Sequence, residues 1–329
     1  MVEASGPGAQ RTYGNYWTRI LDVFGDRRLD EVSATDLEAL MRQVVRDRTL
    51  RRNGREGVSA GEHLLMAARA MYRRAVADEL IDAARNPAAR VAKPRRPPTT
   101  RRGLSPEELA AINRVIASSG NDTALDCLLI RLHLETACRR GAALKLRDED
   151  LDETWSLVRL REKNNAERWQ PVSPSLMHAL LEHGRERGAG AAPDRQLLRY
   201  RSGNPITRRR YDHLWERVGS RLPWAAAQNI STHWLRHTTL TWVERHFGYG
   251  IARAYAGHTD SPGPATTTYI RATLREIATA LTALTQQPHP LASAHPSAGS
   301  CPSAPSSAVD AFSVGVASDG KNAVVLPAE

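Results

Sequence analysis

Two histidines, an arginine and a tyrosine lie within a short stretch near the carboxyl end of the chain, residues 231–271. They are His233, Arg236, His258 and Tyr269. The set itself contains no carboxylate, so it suits an anionic substrate. The arginine and histidines can donate hydrogen bonds to phosphate oxygens, and a tyrosine hydroxyl can act as a nucleophile. We therefore interpret the stretch as a phosphate site with a tyrosine nucleophile.

A helix must position the first two of these side chains. Ser231 or Thr232 can cap such a helix, and His233 and Arg236 then lie one turn apart on one face. An apolar stripe beside them would dock the helix into a core. This stripe consists of Leu235, Thr239, Trp242 and Val243.

The order of these motifs resembles the signature of a known family. His-x-x-Arg-His, then Gly-His, then a tyrosine about ten residues on is similar to the carboxyl-terminal signature of the tyrosine recombinase (phage integrase) family. Upstream, residues 136–141 (Thr-Ala-Cys-Arg-Arg-Gly) resemble its first arginine motif, and residues 161–168 resemble its β-hairpin turn. The resemblance spans most of residues 104–285. It implies the catalytic residues Arg139, Lys163, His233, Arg236, His258 and Tyr269.

The resemblance also implies a role for each residue. Arg139 and Arg236 would neutralise the phosphate, for which a planar guanidinium is well shaped. Lys163 would be the general acid toward the 5′-oxygen. Tyr269 would attack the phosphorus to give a 3′-phosphotyrosine, so rejoining would need neither metal nor nucleotide. His233 and His258 can donate to the phosphate or accept the proton of the nucleophile.

Neighbouring residues offer alternatives to some of these assignments. Arg140 adjoins Arg139, and the motif register favours Arg139. Tyr255 is the rival nucleophile, but it precedes the Gly-His pair and is expected to pack in the core. His237 has no family role and is interpreted as structural.

The sequence departs from the family pattern at two places, which could alter how the enzyme is regulated. The family often has an acid three residues after the first arginine, where this chain has Ala142. The segment before Tyr269 contains Ser261-Pro262-Gly263-Pro264 and is about two residues longer than usual. Neither departure removes a catalytic group, so we expect an active enzyme.

The charge balance fits a DNA-binding protein. The net charge is +10, and arginine outnumbers lysine 42 to 4. Neutralising DNA phosphates releases counterions, which favours binding by such a chain. Three cysteines without Cys-x-x-Cys spacing argue against a zinc site or a disulfide framework. The side chains expected to contact DNA are Arg69, Arg73, Arg74, Lys93, Arg95, Arg96, Arg101 and Arg102.

Hydrophobic periodicity predicts a mainly α fold with a small β-hairpin or sheet. The family resemblance implies the two-domain tyrosine recombinase architecture. An amino-terminal helical bundle would precede a mixed α/β catalytic domain. The expected segments are a flexible amino terminus (1–10), a helical core-binding domain (11–92), a basic proline-rich linker (93–103), the catalytic domain (104–285) and a disordered tail (286–329).

These expectations define a partner and two rival functions. The resemblance implies double-stranded DNA as the partner, a homotetramer in the synaptic complex, and room for an accessory or directionality factor. The last apolar helix would dock on a neighbouring protomer or pack in cis. No signal peptide or apolar span is evident, so we expect a cytoplasmic, nucleoid-associated protein. The phosphotyrosine chemistry implied by the resemblance requires no cofactor. The alternatives to a recombinase are a DNA-binding regulatory protein without turnover and a type IB topoisomerase-like enzyme.

Overall fold

The computed structural model describes residues 6–47, 58–95, 102–162, 166–188, 194–257 and 273–293. It divides the chain into two compact units, within residues 1–100 and 101–329. Helices dominate both units, and a small antiparallel sheet lies in the second. The predicted mainly α fold class with a small sheet is confirmed.

The first unit is a helical bundle around its own core. Its second helix begins with a capping box, in which Ser33 and Asp36 satisfy each other's backbone N–H groups. Trp17 and Tyr72 are buried, and the indole N–H of Trp17 donates to the carbonyl of Ala67. The helices are α1 (Pro7–Phe24), α2 (Ala34–Arg46), α3 (Val58–Ala77) and α4 (Pro87–Arg90), with a 3₁₀ turn at Ala83–Arg85.

The second unit packs helices against both sides of a long buried helix, α6. Its first helix begins with Ser105 and Glu108 forming a capping box around Pro106. Cores formed by leucine, isoleucine and valine enclose α6. The helices are α5 (Pro106–Ala117), α6 (Thr123–Thr136), α7 (Arg140–Ala143), α8 (Pro174–Glu186), α9 (Arg208–Arg221), α10 (Pro223–Ala227), α11 (Thr232–Tyr255), α12 (Leu274–Thr285) and α13 (Pro290–Ser293), with a 3₁₀ turn at Asp148–Asp150.

Three strands form the antiparallel sheet in the order β1-β2-β3: β1 (Leu151–Asp152), β2 (Leu157–Arg161) and β3 (Glu167–Pro171). In its register Leu160 lies opposite Arg168. Leu160 is fully buried, so this face of β2 and β3 is directed into the unit. The hairpin turn was predicted within residues 161–168, of which residues 163–165 lie outside the described residues.

Helix α11 carries the His-x-x-Arg-His motif and is kinked. Gly248 has φ of 81° and ψ of 168°, a conformation that glycine reaches without the strain other residues meet. The kink redirects the chain so that Tyr255, at the end of α11, is fully buried and donates its hydroxyl to the carbonyl of Glu135. Tyr255 is therefore a packed residue, as predicted.

The carboxyl-terminal segment corrects one prediction. The sequence predicted disorder from residue 286, but residues 286–293 are placed against the second unit. His289 is 1% exposed, with Nε2 3.2 Å from the carbonyl oxygen of Ser156, and Gln287 accepts a hydrogen bond from Ser175. The prediction rested on a composition rich in proline and serine. Composition does not reveal this burial, because the burial depends on hydrogen bonds of individual side chains.

Helix α12 packs in cis. Ile277, Leu281 and Leu284 are buried in a cluster with Val243 and Tyr255 of α11. These three residues of α12 are therefore covered by their own chain, whereas Leu274 at the start of the helix is 38% exposed. In the described part of the chain, no helix combines the length and apolar character needed to cross a bilayer.

Candidate functional site

Arg139 lies at the carboxyl end of α6, immediately before α7. Its side chain is 44% exposed, and its Nη1 donates to Glu162 Oε2 at 2.8 Å. The adjacent Arg140 donates instead to Asp212, also at 2.8 Å, and both partners of that pair are exposed. The two arginines therefore have different partners, and of the two it is Arg139 that contacts Glu162, the residue directly before Lys163.

The turn that presents Arg139 is held rigidly. Ala137 adopts the left-handed conformation that ends α6, with φ of 49°. The backbone N–H of Cys138 donates to the hydroxyl of Thr136 at 3.2 Å. His133 Nδ1 lies 3.0 Å from the carbonyl oxygen of Cys138 and must donate to it, because a carbonyl only accepts. Burial lowers the pKa of His133 to about 4, so the imidazole is neutral at pH 7.

Arg236 ties this turn to the segment that follows α11. It is 5% exposed, and its Nη1 donates to the carbonyl oxygen of Ala137. Its Nη2 donates to the carbonyl oxygen of Ala256 at 2.7 Å. A guanidinium carries five N–H donors, and within the described residues Arg236 donates to these two carbonyls alone, so its other donors can serve a bound anion. One buried side chain thus connects the first arginine turn with the backbone next to Gly257.

Arg168, on β3, lies beside the same elements. Its side chain is 13% exposed, and its Nη2 donates to the carbonyl oxygen of Thr136 at 3.2 Å. Its Nη1 donates to Gln170, and its Nε lies 3.7 Å from Glu162 Oε1. On its other side it packs against the backbone of Gly257. Arg168 therefore links the hairpin to the residues on either side of the site.

Three guanidinium groups and one carboxylate form the electrostatic centre of the site. Burial, together with the positive charges of Arg139 and Arg168, lowers the pKa of Arg236 to about 10, while Glu162 opposes this shift. Burial likewise lowers the pKa of Arg168. The cluster is net positive, and an anion bound there would relieve the mutual repulsion of the arginines.

His233 and Arg236 lie one turn apart on α11, as the spacing predicts, but they differ in exposure and do not share one face. His233 lies on the first turn of α11 and is exposed, whereas Arg236, one turn later, faces inward. The rings of His233 and His237 meet edge to face with centroids 4.7 Å apart. His233 is thus accessible to a ligand on the surface of α11.

The other predicted catalytic residues, Lys163, His258 and Tyr269, lie outside the described residues. The chain enters and leaves their segments at described positions. Glu162 and Ala166 flank the hairpin turn, and the backbone N–H of Glu162 donates to the carbonyl of Ala166 at 2.7 Å. Gly257 precedes His258, so Lys163 and His258 each follow directly on a residue that contacts the arginine cluster.

The predicted DNA-contacting residues differ in their surroundings. Arg73, Lys93 and Arg95 are exposed. Arg69 donates its guanidinium to the carbonyl oxygens of Ala88 at 3.2 Å and Val91 at 2.9 Å, which gives it a structural role within the first unit. Two more engage acids: Arg74 pairs with Asp78, and Arg102 pairs with Glu108. Arg96 and Arg101 lie outside the described residues.

Sequence reasoning missed Glu162 and Arg168 as site residues. Strand alternation could have indicated Arg168, because Glu167 and Trp169 are exposed while Arg168 and Gln170 face the other side. An arginine on the inward face of a strand requires an acidic or carbonyl partner. Glu162 carried no comparable signal beyond its position next to Lys163.

A mostly helical unit with a three-stranded sheet, in which arginines from distant segments converge, is the architecture expected of a tyrosine recombinase catalytic domain. The model of the phage integrase family matches residues 102–274, more than half of the chain. The chain belongs to the phage integrase family. No curated protein shows significant sequence similarity to it.

Solved structures share the fold at low sequence identity. A lambda integrase dimer bound to a COC′ core site is 14% identical with a TM-score of 0.58, over 82% of this chain and 90% of that one. XerH site-specific recombinase bound to a palindromic difH substrate is 15% identical with a TM-score of 0.59, over 83% and 75%. The Tn1549 transposon integrase in complex with a circular intermediate DNA is 15% identical with a TM-score of 0.52, over 78% and 87%.

Proposed function

We propose that this protein is a site-specific DNA recombinase that cleaves and rejoins DNA through a 3′-phosphotyrosine at Tyr269. The observation that carries the proposal is the bridge made by Arg236, which donates to Ala137 beside Arg139 and to Ala256 beside Gly257-His258. This bridge gathers the two arginine motifs and the start of the segment that leads to Tyr269. Family membership supports the same conclusion.

The arginine cluster fits the charge of a scissile phosphodiester. A phosphodiester resists attack because its negative oxygens repel nucleophiles, so preorganised donors directed at those oxygens accelerate the reaction. Arg139 is exposed enough to reach a phosphate, while Arg236 and Arg168 hold positive charge behind it. His233, exposed on the same helix as Arg236, can donate to a non-bridging oxygen.

The reaction balances without an external reactant. The Tyr269 hydroxyl oxygen forms a bond to phosphorus, the bond from phosphorus to the 5′-oxygen breaks, and Lys163 protonates that oxygen. His258 accepts the phenol proton. Attack by a 5′-hydroxyl on the phosphotyrosine then reverses these steps and rejoins the DNA. The phosphotyrosine link conserves the bond energy, so the reaction uses no metal or nucleotide.

The partner we propose is double-stranded DNA, bound by a homotetramer at synapsis. Structures similar to this fold include a lambda integrase tetramer bound to a Holliday junction, 14% identical with a TM-score of 0.55. In this chain, residues 11–92 would form the core-binding domain and 93–103 the basic linker. Exposed Arg73, Lys93 and Arg95 are the described candidates for phosphate contacts. DNA binding implies a nucleoid-associated location.

Covalent capture tests the proposal and identifies the target sequence in the same experiment. The protein is incubated with randomised duplexes that carry a nick at a fixed position, so that cleavage near the nick releases a short 5′-hydroxyl strand and traps the adduct. DNA that stays attached under denaturing conditions is sequenced, and the selected duplex is used in joining and plasmid-relaxation assays.

A recombinase yields adducts enriched for one sequence and joins two copies of it. DNA binding in gel shift without an adduct would contradict the proposal in favour of a regulatory protein. Relaxation of plasmids irrespective of the selected site would contradict it in favour of a topoisomerase-like enzyme.

A further inference from the structure

A single buried carboxylate, Glu162, lies between two arginines of the site. Its side chain is 5% exposed. Oε2 accepts a hydrogen bond from Arg139 Nη1 at 2.8 Å, and Oε1 lies 3.7 Å from Arg168 Nε. Removing a carboxylate from water is unfavourable unless charged partners compensate, and the two guanidinium groups do so here.

The sheet fixes the position of this carboxylate. Glu162 follows directly on β2, and its backbone N–H donates to Ala166 at 2.7 Å, which closes the ladder beside β3. Arg161, the preceding residue, is paired with the fully buried side chain of Asp150. The carboxylate is therefore held by a paired strand end, and Arg139 is attached to a fixed point.

Glu162 occupies only part of the Arg139 guanidinium. The contact uses one Nη atom, and the Arg139 side chain remains 44% exposed. Among the described residues, no other side chain pairs with Arg139. A long arginine side chain has considerable rotamer freedom, and one charge-assisted hydrogen bond to a rigid acceptor removes much of it. The unused N–H groups can then be presented to a phosphate.

The balance of charge gives Glu162 a second effect. Arg139, Arg168 and Arg236 influence one another electrostatically, and Glu162 is the carboxylate whose charge opposes their repulsion at Arg236. Without it, repulsion from Arg168 and Arg236 would drive the exposed Arg139 side chain toward solvent. Ala142, three residues after Arg139, provides no carboxylate to replace it.

We propose that Glu162 is a positioning residue that holds the Arg139 guanidinium in the orientation required to bind the scissile phosphate. The inference rests on the proposed function, since it assigns Glu162 a part in that reaction. In this role Glu162 acts through the orientation of Arg139 and not by binding the phosphate itself.

The test measures the rate of covalent adduct formation and the affinity for the selected nicked duplex. The Glu162→Gln variant keeps the shape and removes the charge. We expect it to form adduct about 10-fold to 100-fold more slowly, because misplacement of a catalytic group by about an ångström has effects of that size. Its DNA affinity should stay close to that of the unmodified protein, whereas its thermal midpoint should fall, because a buried partner of two guanidinium groups loses its charge.

The Arg139→Lys background distinguishes positioning from general structural damage. A lysine presents no guanidinium fork for Glu162 to orient, so the effect of Glu162→Gln should shrink to within about 3-fold in that background, as expected for coupled residues. Asp212→Asn is the matched control, because it removes the exposed acid that pairs with Arg140 and should leave the rate unchanged.

Three results would overturn the inference. Glu162→Gln could react as fast as the unmodified protein or faster, which would make Glu162 neutral or inhibitory. It could also lose the same factor with Arg139 and with lysine at position 139, which would indicate structural damage. Absence of any adduct from the unmodified protein would instead refute the proposed function, and the inference with it.

Discussion

Gly257 lies so close to Arg168 that a Cβ atom added to it would be 2.3 Å from Arg168 Nε and 2.4 Å from its Cδ. Gly257 also has φ of 65°, a region that favours glycine. The residue before His258 is therefore restricted in two ways, by its backbone conformation and by the arginine from β3.

Substitution of Gly257 by alanine should displace Arg168 and disturb the arginine cluster. Backbone strain and overlap together should destabilise the protein by about 1–3 kcal/mol. We also expect slower adduct formation on the selected duplex, because Arg168 contacts both Thr136 and Glu162. Thermal unfolding and the adduct rate measure the two effects.

Gly203→Ala is the matched control for this substitution. Gly203 has φ of 79°, but its added Cβ would approach only the carbonyl oxygen of Arg187, at 3.8 Å. The Gly203→Ala variant should be destabilised by backbone strain but should form the adduct at the unmodified rate. Equal adduct rates for the Gly257 and Gly203 variants would show that the Arg168 contact has no part in the reaction.

Arg139 and Arg140 should differ sharply despite being neighbours. Arg139→Lys should slow adduct formation by about 10²- to 10³-fold, the range found when a preorganised donor to the developing charge is removed. Arg140→Lys should change the rate little, since Arg140 pairs with exposed Asp212. The adduct rates of the two variants decide between them, and a larger loss at position 140 would overturn the assigned motif register.

Substitutions of Arg69 and Arg73 should have different effects, the first on the stability of the first unit and the second on DNA binding. Arg69→Ala removes donors to the carbonyls of Ala88 and Val91 and should lower the thermal midpoint. Arg73→Ala should leave stability unchanged and, if Arg73 contacts a phosphate, reduce the slope of log K against log salt by about 1. Salt-dependent binding titrations measure this slope, and an unchanged slope would remove Arg73 from the DNA contacts.

Buried histidines should make the second unit sensitive to acid. Burial lowers the pKa of His183 to about 4, and its Nε2 accepts the backbone N–H of Arg199 at 3.1 Å. In the unfolded chain a histidine titrates near 6.5, so between about pH 6.5 and 4 the unfolded state binds a proton that the folded state excludes. Stability should therefore fall as pH is lowered through this window, by on the order of 3 kcal/mol from His183.

The variant His183→Gln isolates this contribution, because the glutamine side-chain oxygen can still accept the Arg199 N–H but does not titrate. Unfolding measured from pH 7 to pH 4 should show a shallower pH dependence than in the unmodified protein. Identical slopes would mean that His183 is not kept neutral by burial.

The local parts of this account were accessible from sequence, and the long-range parts were not. The end of α6 near Ala137 and the capping box at Ser105 follow from helix periodicity and cap chemistry, which are local signals. The contact of Arg168 with Gly257 joins segments far apart in the chain. Nothing in either segment's composition specifies it, because it depends on how the sheet packs beside α11.

The tail illustrates the same limit. Residues 286–293 have the composition of a disordered segment, yet His289 is buried with its Nε2 near the carbonyl of Ser156. Two side-chain contacts, His289 with Ser156 and Gln287 with Ser175, tie the segment to the second unit although it lacks any periodic pattern. Composition carries no information about such individual contacts, so the predicted start of the disordered tail at residue 286 was placed too early.

The central claim is that Tyr269 attacks the scissile phosphorus. Peptide mapping of the covalent adduct on the selected duplex tests it most directly, together with Tyr269→Phe and the buried Tyr255→Phe as a control. The account predicts a nucleotide attached to Tyr269, no adduct but normal DNA binding for Tyr269→Phe, and retained adduct formation for Tyr255→Phe. An adduct that persists in Tyr269→Phe, or maps to another residue, would contradict it.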